Sequence, residues 1–272
     1  MKAKNSSAEA YTLTSDKPTV WNQAVIEPSF GYDGFVSKHD FVNDEPVGPH
    51  YRPQIGDMSL MRQIAEKIQH GEVWNKKDPI LLQCVTYSGH FPFVLPDKLR
   101  KVSFSDRVPS RMRDYMSTAN YTDRAIGQFI EQLRSIGAYD STLIVITGDH
   151  EGLTDMRADF CVSEAGKGVV SDKPFTPLII LNAPDGMRYE EVMGQIDIYP
   201  TLLELLGLTD YSWRGVGQSI LDPAKHGIAI DAHGKVYGDT IGVPKSEILH
   251  LKEAWKVSDE IIRYDPLPLK GS

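Results

Sequence analysis

Three short runs of apolar, mostly β-branched residues, at 80–86, 143–147 and 178–181, each lead into Gly, Asn, Pro or Ser. They lack the polar alternation of a strand with one wet face, so they predict strands buried on both sides, as in a parallel sheet covered by helices. Between the first two, Met112, Met116, Ala119, Ile126, Phe129, Ile130 and Leu133 recur every three to four positions while Arg113, Asp123, Arg124 and Glu131 fall elsewhere. That spacing predicts an amphipathic helix over 109–135 whose apolar stripe packs on the core. Shorter helices are predicted over 58–70, over 198–206 with Asp197 as cap and Gly207 as stop, and over 245–262. The stretch 226–239, HGIAIDAHGKVYGD, reads as a hairpin with its turn near 232–234. Pro18, Pro28, Pro46, Pro49 and Pro53 make residues 1–55 read largely as loop, leaving the core sheet and helices to 56–272. Alternating strand and helix signals without an internal repeat predict a layered α/β fold, read most simply as one domain over 1–272.

A chain of 272 residues with 41% apolar composition can bury a sizeable core. Its formal charge of −8 and the absence of a basic stripe argue against nucleic acid as a partner, because phosphate backbones demand clustered Lys and Arg. Cys84 falls in an apolar strand run and Cys161 in a predicted loop, which suits neither a disulfide framework nor a thiolate metal site. The first residues, MKAKNSSAEAY, have no apolar core of signal-peptide length, and no run of 18 apolar residues occurs. As written, the sequence reads as a soluble chain without an export signal.

The candidate chemistry gathers where strands end. In STLIVITGDH, residues 141–150, the apolar run stops at Gly148 and delivers Asp149 and His150 side by side. With a turn near Gly148 both could reach one ion; otherwise Asp149 caps the next element and His150 is an ordinary loop histidine. A second polar group, His90, lies in SGHFPF just after the 80–86 strand. If both strands belong to one parallel sheet, His90 and the Asp149–His150 pair emerge at the same edge, where ligands of such sheets bind. Imidazole there can bind metal or contact a phosphate or sulfate oxygen, and a histidine flanked by Phe91, Pro92 and Phe93 can equally be a half-buried structural residue. His226, His233, Asp123, Asp197, Trp74, Trp213 and Trp255 read as structural.

Taken in order, SGHFPFVLP, then ANYTDRAIGQFIEQLRSIGAYDSTLIVITGDHEG, then PLIIL and QIDIYPTLLELLGL closely resemble the catalytic domain of lipoteichoic acid synthases and related phosphoglycerol transferases. The resemblance begins near Trp21-Asn22-Gln23 and takes in GYDGF, Ile55-Gly56-Asp57 and the 254–259 segment AWKVSD. It implies a three-layer α/β/α sandwich of the alkaline phosphatase and sulfatase type, with this chain corresponding to the carboxy-terminal portion of the catalytic domain. It further implies a divalent ion, Mn or Mg first and Zn or Ca as alternatives. Asp149 and His150 match metal ligands of that family, His90 a histidine that contacts the substrate phosphate, and Trp21 a substrate-contacting tryptophan. Two positions depart from the synthases: Gln23 stands where an arginine is expected, and Thr14 where a histidine is expected.

Loss of an arginine fork removes bidentate phosphate recognition, so the resemblance supports a phosphate- or sulfate-ester substrate, lipid- or glycan-linked, rather than glycerol phosphate in particular. The family's threonine nucleophile and a glutamate ligand lie well upstream of the WNQ segment. Here they are expected on an upstream segment or a second chain that completes the domain; Ser6, Ser7, Thr12 and Thr14 do not match by spacing. Glu151 is expected to face solvent. Relatives act outside the cytoplasm, held at the membrane by upstream helices. Two functions therefore stand: metal-dependent transfer or hydrolysis of phosphate or sulfate esters, and a non-catalytic binding module of the same fold.

Overall fold

The structure, a computed structural model, describes residues 5–153, 155–164, 166–168, 170–173, 175–211, 215–231 and 233–264. The chain divides into two compact units, Met1–Leu181 and Asn182–Ser272. The first carries β1 (Glu9–Thr14), α1 (Gln23–Ile26), β2 (Gly34–Val36), β3 (Pro46–Val47), β4 (Gln54–Ile55), α2 (Asp57–His70), β5 (Ile80–Val85), α3 (Ser110–Ser135), β6 (Ile144–Thr147), α4 (Arg157–Val162) and β7 (Leu178–Leu181). The second carries α5 (Ile198–Leu205), β8 (Ile228–Ile230), β9 (Val236–Gly238) and α6 (Lys245–Tyr264).

The reading of the first 55 residues as loop fails at its most consequential point. Glu9–Thr14, EAYTLT, is the central strand of a parallel sheet ordered β2-β1-β5, with Leu13 opposite both Val36 and Cys84. Tyr11 and Leu13 face the main core, while Thr12 and Thr14 alternate to the other side and are buried there as well. A strand flanked by strands on both edges can bury threonines that in a sequence look like loop polarity. The prolines that suggested loop lie mostly between these elements, in turns and 3₁₀ segments.

Helices α2 and α3 pack together over one face of that sheet. From α2 come Leu60, Ile64 and Ile68, one helical turn apart, and from α3 Ala125 and Leu133; they enclose Leu13, Ile55, Cys84 and Ile144. The predicted α3 stripe holds at Met112, Met116, Phe129 and Leu133, which pack on the cores, but Ala119 is exposed, and Ser117, Thr118, Tyr121 and Ala125 are buried as well. Burying these small and hydroxyl-bearing residues brings the helix close to its neighbours, a preference that hydrophobic periodicity does not register.

The strand at 144–147 runs antiparallel to β7, with Ile144 opposite Leu181 and Thr147 opposite Leu178, and not in a parallel ladder with β5 as expected. An unbroken apolar run does not report strand direction, and here it does not report burial on both faces either, since Leu81 on β5 and Ile179 on β7 are exposed. Ile144 nevertheless packs on the same core as Leu82 and Cys84, so β5 and β6 share one hydrophobic layer. Cys161 lies on α4 rather than in a loop, and both cysteines are free thiols.

In the second unit β8 and β9 form the predicted antiparallel hairpin, and Asp231 stabilises its turn by accepting from the amides of His233 and Lys235 and from the Tyr237 hydroxyl. Ala232 and Trp213 lie outside the described residues. Asp197 does not cap α5 with its side chain; its carboxylate accepts from the amides of Gly194 and Gln218 at 2.9 Å each and pairs with Lys225 at 3.1 Å. His226 pairs with Glu247 at 2.8 Å, which ties the hairpin to α6. Among the described residues no helix is long and apolar enough to cross a membrane.

Candidate active site

Beyond the end of β6 the chain bends, and Asp149 and His150 project outward with 89% and 76% of their side chains exposed. His150 Nε2 and Asp149 Oδ2 lie 3.4 Å apart. Two donor atoms at that spacing can both sit about 2.1 Å from one ion, subtending about 110° there, close to a tetrahedral edge. The rest of the imidazole is already arranged for this. Nδ1 lies 2.8 Å from the Glu151 carbonyl, which can only accept, so the proton is on Nδ1 and the Nε2 lone pair is available to a metal. The Asp149 carboxylate is held in turn, with Oδ1 accepting from the His150 amide at 2.9 Å. The two residues therefore fit a divalent ion as part of its coordination shell. Among the described residues there is no group of three or more His, Cys, Asp or Glu at ligand spacing.

His90 is prepared in the same way. Its Nδ1 donates to the Phe91 carbonyl at 2.5 Å and its ring stacks on Tyr87 with centroids 5.3 Å apart, and the residue is exposed. The loop that carries it is fastened by Asp57, a fully buried carboxylate at the start of α2. Asp57 Oδ1 accepts from the amides of Tyr87 and Ser88 at 3.0 Å each, Oδ2 accepts from the Thr122 hydroxyl at 2.6 Å, and the Ser88 hydroxyl accepts from the Asp57 amide. In the sequence Ile55-Gly56-Asp57 and Thr122 belong to the resembling segments, and nothing local to them signals this positioning role. Gly56 is required because a Cβ there would meet the Glu45 carbonyl at 2.8 Å as well as the Tyr121 hydroxyl.

The two loops meet through their apolar residues. Phe93 and Leu153 are both 7% exposed and belong to one cluster with Val108, Met112 and Phe160. Each lies three residues after a candidate histidine, and each has a left-handed backbone, φ 61 at Phe93 and φ 55 at Leu153. That conformation costs a non-glycine residue about 1 kcal/mol or more and persists where packing over-determines it, as the burial of both side chains does here. Arg111 adds a polar link, its guanidinium 5.1 Å from the Phe91 ring and hydrogen-bonded to both Asp155 carboxylate oxygens at 2.7 and 3.2 Å. His90 and the Asp149–His150 pair are thus placed on loops with a common anchor, although not by the shared parallel ladder that was expected.

Trp21 is 84% exposed on a short 3₁₀ turn, where it and Asn22 both have left-handed backbone, φ 52 and φ 53. A bare indole held in a strained turn is unusual for a merely structural tryptophan. Trp74, by contrast, packs on the core and donates to the Asp78 carbonyl at 2.8 Å. Thr12 and Thr14 are buried on β1, and the Ser7 hydroxyl lies within hydrogen-bond distance of the Asn5 and Asp78 side-chain oxygens. Glu151 does not simply face solvent: it lines a cavity, 4.0 Å from Arg157.

A sulfatase-family model matches residues 11–208, which include most of β1, the WNQ turn, both histidine loops and α5. The chain belongs to the sulfatase family. It is 26% identical over 292 residues to lipoteichoic acid synthase 2 of Bacillus subtilis, an alignment covering 98% of this chain and 44% of that protein. Its fold is similar to the crystal structure of the lipoteichoic acid synthase LtaP from Listeria monocytogenes, with a TM-score of 0.80 at 17% identity over 99% of this chain and 73% of that one. It is also similar to the Streptococcus pyogenes phosphoglycerol transferase GacH, solved with sn-glycerol-1-phosphate, with a TM-score of 0.55 at 13% identity over 95% and 64%. These likenesses show that the chain shares the mixed α/β fold of those two enzymes. The chain spans less than half the length of the curated relatives it matches.

Proposed function

We propose that this chain carries the metal-binding and ester-contacting half of an enzyme that transfers or hydrolyses a phosphate or sulfate ester. The observation that carries the reading is the pair of donor atoms 3.4 Å apart with the far nitrogen of His150 already committed to a carbonyl. A divalent ion bound there would supply Lewis acidity, lowering the pKa of a hydroxyl nucleophile and offsetting charge that develops on the ester oxygens. Asp149 and His150 would hold it, with Mn or Mg the expected species and Zn or Ca the alternatives. His90 directs Nε2 toward the ester, and in its imidazolium form donates a hydrogen bond to a non-bridging oxygen. Trp21 offers a flat apolar face to the part of the substrate beyond the ester.

The buried hydroxyls of Thr12 and Thr14 are not placed to attack, so the nucleophile is assigned to an upstream segment or a second chain. Gln23 in place of an arginine leaves the class of ester, lipid-linked or glycan-linked, broader than glycerol phosphate. The kinship to lipoteichoic acid synthases supports a site of action outside the cytoplasm.

The test is calorimetric titration of the chain with Mn and with Mg, beside phosphodiester and sulfate-ester turnover by the protein as expressed from its own gene. Binding is expected to be weak, because only two protein ligands are assigned, and to vanish in Asp149→Ala and His150→Ala; turnover is expected to require metal and to vanish in the same variants. Binding indifferent to both substitutions would overturn the site. Metal binding without turnover of either ester would favour the non-catalytic binding module.

A further inference from the structure

Immediately after Asp149 and His150 the chain borders a cavity of about 350 Å³. Its deep walls are apolar, formed by Leu153 and Phe160 from the 153–162 segment and by Tyr115 and Met116 from α3. Leu153 and Phe160 belong to the same cluster that anchors both histidine loops. The close approach that shapes the wall depends on Gly152, where a Cβ would lie 2.7 Å from the Tyr115 hydroxyl.

The polar groups at this cavity are few and unbalanced. Arg157 enters with its side chain only 19% exposed, and its Nη1 is buried without a hydrogen-bond partner among the described residues. Its nearest carboxylate, Glu151, is 4.0 Å away, beyond hydrogen-bond reach. Lys173 stands exposed at the mouth beside Phe175, 5.9 Å from that ring. Two cations thus face one carboxylate across an apolar space. A buried guanidinium with an unfilled donor is costly unless something accepts from it, and an anion does so most strongly.

We propose that this cavity is a binding site for a ligand that joins an apolar body to one anionic group, the anion accepting from Arg157 with Lys173 at the mouth and the body covering Tyr115, Leu153 and Phe160. A small polyol phosphate would satisfy the guanidinium but leave those walls wet, and a neutral hydrocarbon would cover the walls but leave the guanidinium unmatched. Its position beside Asp149 and His150 makes the cavity the place for the part of an ester substrate, or of an acceptor, that is not transferred; this last step rests on the proposed function, whereas the binding site does not.

The two are separated by measuring binding with metal removed. Calorimetry in EDTA with naphthalene-2-sulfonate, naphthalene-2-methanol and sn-glycerol phosphate should rank the sulfonate first. Arg157→Gln should weaken the sulfonate about tenfold or more, as expected for loss of one charge-assisted hydrogen bond, and leave the neutral alcohol within about twofold. Ala119→Phe, which adds bulk at an exposed lining position of α3, should abolish binding of both naphthalenes. Should Arg157→Gln unfold, Lys173→Gln at the exposed mouth provides the charge test, with a smaller loss of sulfonate binding expected. Sulfonate affinity unchanged by loss of charge, or by Ala119→Phe in a folded chain, overturns the proposal whatever the outcome with metal. If binding holds but the sulfonate does not compete with ester turnover, the cavity stands and its role as part of the substrate site is overturned.

Discussion

A histidine can ligate a metal only through a nitrogen that carries no proton, and at His150 a neighbouring carbonyl makes that choice. Nδ1 donates to Glu151, so Nε2 is left beside Asp149 Oδ2. His90 is fixed by the same device one residue along its own chain, and Asp57 holds the loop beneath it through three accepted hydrogen bonds. Replacing Asp57 by Ala would leave two buried amides and a hydroxyl without partners. A loss of about 3 kcal/mol or more is expected in urea unfolding, which the exposed positions Asp149 and His150 should not reproduce when changed to Ala. Cys84 gives a pH signature. Burial on β5 pushes its thiol from 9.0 up to about 12, so between those values the folded chain keeps a proton that the unfolded chain has lost. Stability attributable to this group is therefore full below about pH 9 and falls as pH rises toward 12; unfolding midpoints of Cys84→Ala against the parent across that window measure it.

At the scale of elements, the site depends on two loops whose turns are held by side-chain burial rather than by glycine. Phe93 and Leu153 share a cluster and a left-handed backbone, and that shared packing is what places the two histidine loops on one anchor. Leu153→Ala should cost about 2–5 kcal/mol of stability and should also weaken metal binding, a coupling that a core substitution distant from the loops, such as Ile64→Ala, should not show. In the second unit, Lys225 and Asp197 form a buried pair, with 6% and 5% of their side chains exposed, that fixes the start of α5 to the 215–226 segment. Lys225→Met removes one partner and leaves a buried carboxylate that only amides satisfy; thermal or urea unfolding should show a loss of about 3 kcal/mol.

For the whole molecule, the metal is expected to act as a ligand of the folded state alone. At ten times its dissociation constant an ion that binds only the folded chain adds about 1.4 kcal/mol, so the melting midpoint should rise with added Mn in the parent and stay constant in Asp149→Ala. The sequence alone determined the long helix, the strand at 178–181 to the residue, the hairpin of the second unit, and the motif order that places the chain among sulfatases. Each of these is written locally, in hydrophobic period, in turn residues or in contiguous motifs. It could not show that Glu9–Thr14 is a central strand, because threonine burial on β1 depends on partners at residues 34–36 and 80–85. Nor could it show the direction of β6, since an apolar run is the same read against a parallel or an antiparallel neighbour. The proton on His150, the clamp of Asp57 on His90 and the Arg157 Nη1 that finds no hydrogen-bond acceptor among the described residues were decided only in three dimensions. Hydrogen bonds and burial between residues distant in the chain leave no period in the sequence that carries them.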